Sequence, residues 1–345
     1  MTDRLTRIVE IGPDDDDALR RWHAVEVQVI EADRPYGVAE TWLERSQQVQ
    51  RPDPYRRNML FAAESNGVFL GVGSVGLSMN DNKHLAEVEL FVRPAVRKLG
   101  VGATLLEYAD VMRQNAGRTT VVCELYLGTD SSRCPGLDFA FSHGFTTVHE
   151  EDHLVLDLPV PAERLEQLRE SVDDEYDVIT WGDHCPDKHL DAYLELRTQM
   201  DSDVPIGEVD YEPVVYDEDR QRAEEERLAA AYWAITAAVR RRKDGLMCGY
   251  STLLVPLDTG DTDAFQWDTL VMPEHRGHRL GTALKLATLE ILQRDHPERT
   301  QLHTWTDPES KAMHRTNLDF GYAPRERMLE VQRQDPEPPA EPTGD

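Results

Sequence analysis

Basic side chains are scarce in this sequence. Against 65 Asp and Glu stand only 37 Lys and Arg, a formal net charge of −28 over 345 residues. That balance excludes a protein that coats nucleic acid with its general surface, because such binding needs clustered cations to displace counterions. A local basic pocket stays allowed. Cysteine is also sparse: Cys123, Cys134, Cys185 and Cys248 lie far apart with no C-x-x-C pair. Neither a disulfide framework nor a zinc ribbon is supported, and reduced thiols are expected. No apolar run approaches the roughly 18 residues needed to span a bilayer, and the start MTDRLTRIVEIG carries no apolar stretch after its charges. The sequence therefore reads as soluble, unexported and cytoplasmic. What it does have is core material: 40% hydrophobic residues, with six Trp, eleven Tyr and eight Phe, enough to argue against global disorder. Its length favours two domains of roughly 150 residues each.

The two domains are written as a repeat. AEVELFVRPAVRKLGVGATLLEYADVM begins at residue 86, and FQWDTLVMPEHRGHRLGTALKLATLEIL at residue 265. Laying Val92-x-Pro94 on Val271-x-Pro273 puts Arg97 on Arg276, Gly102 on Gly281 and Glu89 on Asp268, every pair 179 apart. Downstream, Gly144-Phe145 matches Gly321-Tyr322 at an offset of 177. Register kept over some fifty residues is the mark of a duplicated module.

Coarse patterning repeats with it. The first half predicts a strand at RIVEI, a helix over 14–32, strands over 59–64 and 68–78 joined at Ser-Asn-Gly, a strand over 85–92, a helix after the glycine loop and a strand over 119–126. The second predicts a strand over 176–181, helices over 188–200 and 217–230, strands over 232–240, 246–255 and 264–271, a helix over 282–294 and a strand over 301–306. The boundaries are a first module at 1–158, a connecting helix within 159–175, a second module at 176–333, and a Pro-rich acidic tail at 334–345 expected to be disordered.

A strand ending in V-x-P, then Arg-x-x-Gly-x-Gly, then an amphipathic helix, builds an anion cradle. Small residues allow close backbone approach, and the first N–H groups of a helix lack internal partners and sit at its positive end. Arg97 and Arg276 would add charge for a pyrophosphate, with Lys98, or His278 and Arg279, adding more. Each half resembles the GCN5-related N-acetyltransferase (GNAT) superfamily, whose signature is Q/R-x-x-G-x-G/A between the fourth strand and the next helix. R97-K-L-G-V-G102 matches completely, whereas R276-G-H-R-L-G281 carries Arg279 in place of the first glycine. The tandem arrangement is similar to mycothiol-synthase-like double-GNAT acetyltransferases of actinobacteria.

The resemblance implies an α/β (α+β) protein of two tandem GNAT modules, each a mixed sheet flanked by helices and splayed between its fourth and fifth strands. It implies acetyl-CoA as donor and no metal. Its cradles would be Arg97, Lys98, Leu99, Gly100, Val101, Gly102 and Ala103, and Arg276, Gly277, His278, Arg279, Leu280, Gly281 and Thr282. Backbone N–H groups near Val92 and Val271 would hold the pantetheine arm and thioester oxygen. A tyrosine that many relatives place four residues before the late Gly-aromatic pair is replaced by Ala140 and by Asn317, and Asn317 is a candidate hydrogen-bond donor to the sulfur region.

An amine acceptor must lose a proton before it attacks a thioester, and a carboxylate near that thioester would serve. Alternation places Glu87 and Glu89 on one face of the fourth strand, with Asp268 as the counterpart of Glu89. These three are the candidate bases, against the plain alternative of a solvated strand face. The segment 201–226, dense in carboxylates, lies where the family walls its acceptor pocket; it would either recruit a cationic amine or only continue the acidity of the whole chain. Three other patterns carry less. G71-V-G-S-V-G76 fits a dinucleotide fingerprint by letter but is followed by LSMNDNKH and no helix, so it reads as a hairpin strand. His275 and His278, like His303 and His314, lack the carboxylate or cysteine neighbours of a metal site. Cys123 and Cys248 sit in apolar strands as small core residues.

The reading is acetyl transfer from acetyl-CoA to a primary amine by direct attack in a ternary complex. The partner is a small-molecule amine, cationic if the acidic segment recruits it, and neither nucleic acid nor membrane is a partner. Intact glycines favour the first cradle, but Asp268, Trp305, Asn317 and the acidic segment place turnover in the second module. A monomer or a homodimer is compatible with two fused modules. The competing classes are a non-catalytic CoA-responsive regulator and a GNAT-fold enzyme using another acyl donor.

Overall fold

The structure is a computed structural model that describes residues 6–169, 175–258 and 260–336. The first module runs β1 (Arg7–Ile11), α1 (Asp16–Asp33), α2 (Trp42–Gln50), β2 (Arg56–Ser65), β3 (Val68–Ser78), β4 (Leu85–Val92), α3 (Val101–Asn115), β5 (Thr120–Gly128), α4 (Pro135–Ser142) and β6 (Thr146–Asp157). After α5 (Ala162–Arg169), the second follows with β7 (Tyr176–Trp181), α6 (Asp187–Asp203), α7 (Glu218–Leu228), β8 (Tyr232–Arg241), β9 (Met247–Pro256), β10 (Asp263–Val271), α8 (Leu280–Asp295), β11 (Gln301–Thr306), α9 (Lys311–Phe320) and β12 (Ala323–Gln334).

Local chemistry explains the beginnings of these elements. Asp15 caps α1 by accepting from the Ala18 N–H, and the helix buries Leu19, Trp22 and Val25. α2, which the periodicity does not predict, opens on a capping box in which Thr41 and Glu44 each satisfy the other's backbone N–H. The β2–β3 hairpin turns at Asn66 and Gly67, both with positive φ (52° and 78°). The glycine run at 71–76 lies inside β3 and opens no helix, as its sequence context requires.

All twelve strands form one sheet, in the order β1-β2-β3-β4-β5-β12-β6-β11-β10-β9-β8-β7. Within each module the fourth and fifth strands run parallel and pair only briefly before they diverge. Leu85–Glu87 meet Thr120–Val122 in β4 and β5, and Asp263–Phe265 meet Gln301–His303 in β10 and β11. The expected splay is therefore present twice. The sequence does not announce what happens at the seam, where the modules exchange their last strands. β12 of the second module lies between β5 and β6 of the first, while β6 pairs with β11.

Each core is accordingly completed by the other half of the chain. Leu329 and Val331 pack among Phe61, Leu105 and Val121, while Leu154 and Leu156 pack among Leu253, Leu302 and Phe320. A buried polar chain crosses the seam: His153 bonds His303 at 2.9 Å and Glu326 at 3.2 Å, and Glu326 pairs with Arg34 at 2.9 Å.

The connecting helix is shorter than expected, with 170–174 outside the described residues. The expectation of a disordered tail from residue 334 is corrected at its start. β12 reaches Gln334, and the Asp335 carboxylate takes both Arg113 amino groups at 2.6 and 2.8 Å. Residues 337–345 lie outside the described residues. Among the described residues no helix is long and apolar enough to cross a membrane.

Candidate active site

Each glycine loop is folded by the same device. β4 runs through a single turn at Pro94–Val96, β10 through one at Pro273–His275, and each loop then delivers a helix with no side-chain cap. Uncapped first-turn N–H groups are what an anion needs. Arg97 donates to the Val92 carbonyl at 3.0 Å and to Asp33 at 2.6 and 2.9 Å. Arg276 does the same with the Val271 carbonyl at 3.0 Å and Asp203 at 2.7 Å. Both arginines thus brace their loops, and the backbone is left as the anion-facing surface.

The two cradles differ in detail. Gly100 takes φ 87° at the start of α3, in the left-handed region that glycine adopts without strain, and Arg279 must take φ 59° at the same place. The Arg279 guanidinium reaches Asp319 at 3.3 Å. Lys98, Leu99 and Ala103 are exposed beside buried Val101; in the second loop Arg276, Gly277 and Arg279 are exposed, His278 packs on Tyr176, and Leu280 and Thr282 are buried. A Cβ on Gly102 would come within 3.3 Å of the Phe139 ring, whereas one on Gly281 would meet nothing within 4 Å.

A cleft of 1920 Å³ begins at the first cradle, where Arg97, Lys98, Gly100, Gly102 and Ala103 line it, and continues through the opening between β4 and β5. Its floor is acidic. Its far wall comes from the second module: Tyr216, Arg220, Glu224, Trp267, Asp268 and Trp305. The segment between α6 and α7 is stitched onto the first module by Asn82, which exchanges hydrogen bonds with the Glu212 backbone at 2.7 and 2.9 Å, and by His84, 2.8 Å from the Asp210 carbonyl. Part of the acidic segment therefore lines the cleft entered from the first cradle.

The candidate bases stand in different company. Glu89 accepts from Ser74 at 2.8 Å and lies 3.4 Å from Arg45, a buried guanidinium that also holds Glu26 and Glu40. Burial pushes the Glu26 carboxyl up to about 8 despite Arg45. Glu87 is paired with Arg56. Asp268 accepts from the Tyr250 hydroxyl at 2.8 Å and lies 3.9 Å from Arg197. Burial raises its proton affinity and Arg197 opposes the rise. Asn317 is fully buried, accepting from the Lys285 amino group at 2.8 Å and donating to Thr306 at 3.0 Å. The corresponding positions in the first module, Leu106 and Ala140, line the open cleft.

One carboxylate that the sequence reading passed over stands out. Glu124 lies on β5 just past the paired segment, across the divergence from Glu89. It is open to the cleft, yet the surrounding protein pushes its carboxyl up to about 7, against a 3.0 Å hydrogen bond from Tyr126. A carboxylate inside the apolar run V-V-C-E-L-Y-L was the available signal. Cys123 beside it is no nucleophile, because burial pushes its thiol up to about 12.

The profile of the acetyltransferase (GNAT) family matches residues 18–145, and no curated protein matches the chain. In structure the chain is similar to a tandem GNAT protein from the clavulanic acid biosynthesis pathway. The TM-score is 0.80 at 23% identity, over 97% of this chain and 100% of the other. It is also similar to a GCN5-related N-acetyltransferase from Sphaerobacter thermophilus, with a TM-score of 0.66 at 16% identity over 97% and 96% of the two chains. A third likeness is to the glucosamine N-acetyltransferase region of a fungal multi-domain β-N-acetylglucosaminidase, with a TM-score of 0.65 at 14% identity, covering 96% of this chain and 38% of that one. The profile falls on the first module, and the fold likeness runs through both. Residues 18–145 thus match the acetyltransferase (GNAT) family, and the chain as a whole has the fold of a tandem GNAT protein.

Proposed function

We propose that the first module transfers the acetyl group of acetyl-CoA to a primary amine of a small cationic acceptor, which enters through the cleft between the modules. The observation that carries this reading is the continuity of the first cradle with an acid-floored cleft through the β4–β5 opening. In the second module the matching interior is occupied by the buried Lys285–Asn317–Thr306 chain. This reverses the preference for the second module that the sequence suggests. Backbone N–H groups over Lys98–Ala103 hold the pyrophosphate, and the amide at the end of β4 faces the thioester oxygen. Glu124 takes the ammonium proton, the free amine attacks the thioester carbonyl, the C–N bond forms and the C–S bond breaks, and the proton that the attacking nitrogen sheds passes to the departing sulfur, so coenzyme A leaves as thiol. Glu87 and Glu89 are each tied to an arginine and serve as an electrostatic attraction for the cation.

The test is calorimetry with acetyl-CoA, followed by thiol release in the presence of glucosamine, spermidine or a lysine-ended peptide. One site per chain is expected. Gly102→Val should weaken binding by roughly tenfold, an estimate based on the loss of about one good backbone contact, and Gly281→Val should leave it unchanged. Binding that survives Gly102→Val and fails in Gly281→Val would return the activity to the second module. Tight binding with no acceptor-dependent thiol release would favour a CoA-responsive regulator.

A further inference from the structure

We propose that Glu330, carried on the strand that the second module lends, tunes and positions Glu124, so that the base of the first module is a carboxylate pair built from both halves of the chain. This rests on Glu124 as base. The strand exchange makes Glu330 and Glu124 direct partners in the antiparallel β12–β5 register, and the same Glu330 is opposite His149 on β6. Directly opposed residues on such strands share a face and bring their Cβ atoms to about 5 Å. Both residues line the cleft. Among the described residues neither is met by an arginine or lysine in an ion pair, unlike Glu87 and Glu89 in the same floor.

Two carboxylates so placed cannot both ionise freely. They hold one proton between them and release it as a pair. Consistent with this, the surrounding protein pushes both carboxyls up to about 7, desolvation first in each case, with the Glu124 charge adding to the rise at Glu330 and the Glu89, Glu87 and Glu151 charges to that at Glu124. The other groups facing them are Glu87 and Glu89 from β4, Tyr126 from β5, and His149 and Glu151 from β6. Of these only His149 favours ionisation of Glu330, and only the Tyr126 hydroxyl favours that of Glu124. In the reaction Glu124, ionised while the pair's one proton rests on Glu330, takes the proton of the acceptor's ammonium, the neutral amine attacks, and Glu124 returns that proton to water before the next turnover. Glu330 touches no reacting atom in this scheme, so its role is positioning. Its place on the last strand also gives the exchange a functional consequence, since the first module's chemistry then needs residue 330.

The test needs no identified acceptor. In the full chain labelled with carboxyl-carbon-13 glutamate, the Glu124 resonance is assigned by its loss in Glu124→Gln and titrated in the parent and in Glu330→Gln. Removing the opposed charge should lower the Glu124 midpoint by roughly one pH unit or more, and Glu330→Asp should restore most of the parent midpoint. A purely structural Glu330 would leave the midpoint in place, and an unmoved midpoint in a folded Glu330→Gln protein overturns the pair. This outcome is separable from failure of the base assignment itself: a Glu124→Gln protein that retains acetyl transfer removes Glu124 from the reaction whatever the titration shows.

Discussion

Glu124→Gln is expected to lower kcat/KM for the amine acceptor by about two to four orders of magnitude at pH 7, the usual range for losing a positioned general base, with acetyl-CoA affinity unchanged. β5 has just parted from β4 at Val122, so the side chain of Glu124 projects where the sheet is open and the thioester would lie. The protein around it holds its carboxyl near neutrality, at about 7, where a base combines a useful ionised fraction with useful basicity. Glutamine keeps the size and can still meet the Tyr126 hydroxyl, so a structural role would be largely preserved. The sign with pH follows. Below the carboxyl's midpoint the parent base is protonated and idle, so parent activity should rise through pH 7. The variant should lose that limb and keep only the slow rise set by the amine's own deprotonation. A Glu124→Gln protein with the parent's rate and limb would exclude the assignment, and Glu89 would then be the next residue to replace.

The contrast between the modules explains what was legible in the sequence. The cradles, the strands that carry them and the double splay follow from short-range signals, V-x-P and the two glycines, whose backbone demands are met within ten residues. The hairpin at Asn66–Gly67 is of the same kind. The strand exchange is not, because β5 and β12 pair across about two hundred residues and nothing in either strand states which neighbour it will take. The base moved for the same reason. Glu87 and Glu89 look free on an alternating strand, and only the fold brings Arg56 and Arg45 against them. Glu124 looks like a lone charge in an apolar strand until β12 lays Glu330 beside it. Asn317 shows the converse. Its position follows from the repeat, but the partner that fills its hydrogen bond, Lys285, stands on α8 within the mostly apolar run L-G-T-A-L-K-L-A, where nothing local points to Asn317.

That lysine carries the second large effect. Lys285→Met is expected to stabilise the chain at pH 7 by about 2 to 4 kcal/mol and to lose that advantage at alkaline pH. Lys285 is 3% exposed and its amino group has one hydrogen-bond partner, Asn317 at 2.8 Å, with the Tyr322 ring 5.5 Å away. Burial lowers its proton affinity from the ordinary 10.5 to about 7. In the unfolded chain the amine is protonated below about 10.5, so a folded state that resists protonation binds fewer protons between pH 10.5 and 7, and its stability falls as the pH falls through that window. At about 1.4 kcal/mol per unit the accumulated penalty at pH 7 is roughly 5 kcal/mol. Methionine removes it, fills a similar volume and adapts to irregular space, but strands the Asn317 oxygen at a cost of about 1 to 3 kcal/mol. At pH 9.5 only about 1.4 kcal/mol of penalty remains in the parent, so the same substitution should there be neutral or slightly destabilising. Urea unfolding of both proteins at the two pH values reads the difference directly. A stability difference that does not change with pH would mean that Lys285 keeps its proton in the folded chain. The amine would then be a charged occupant of the second module's interior.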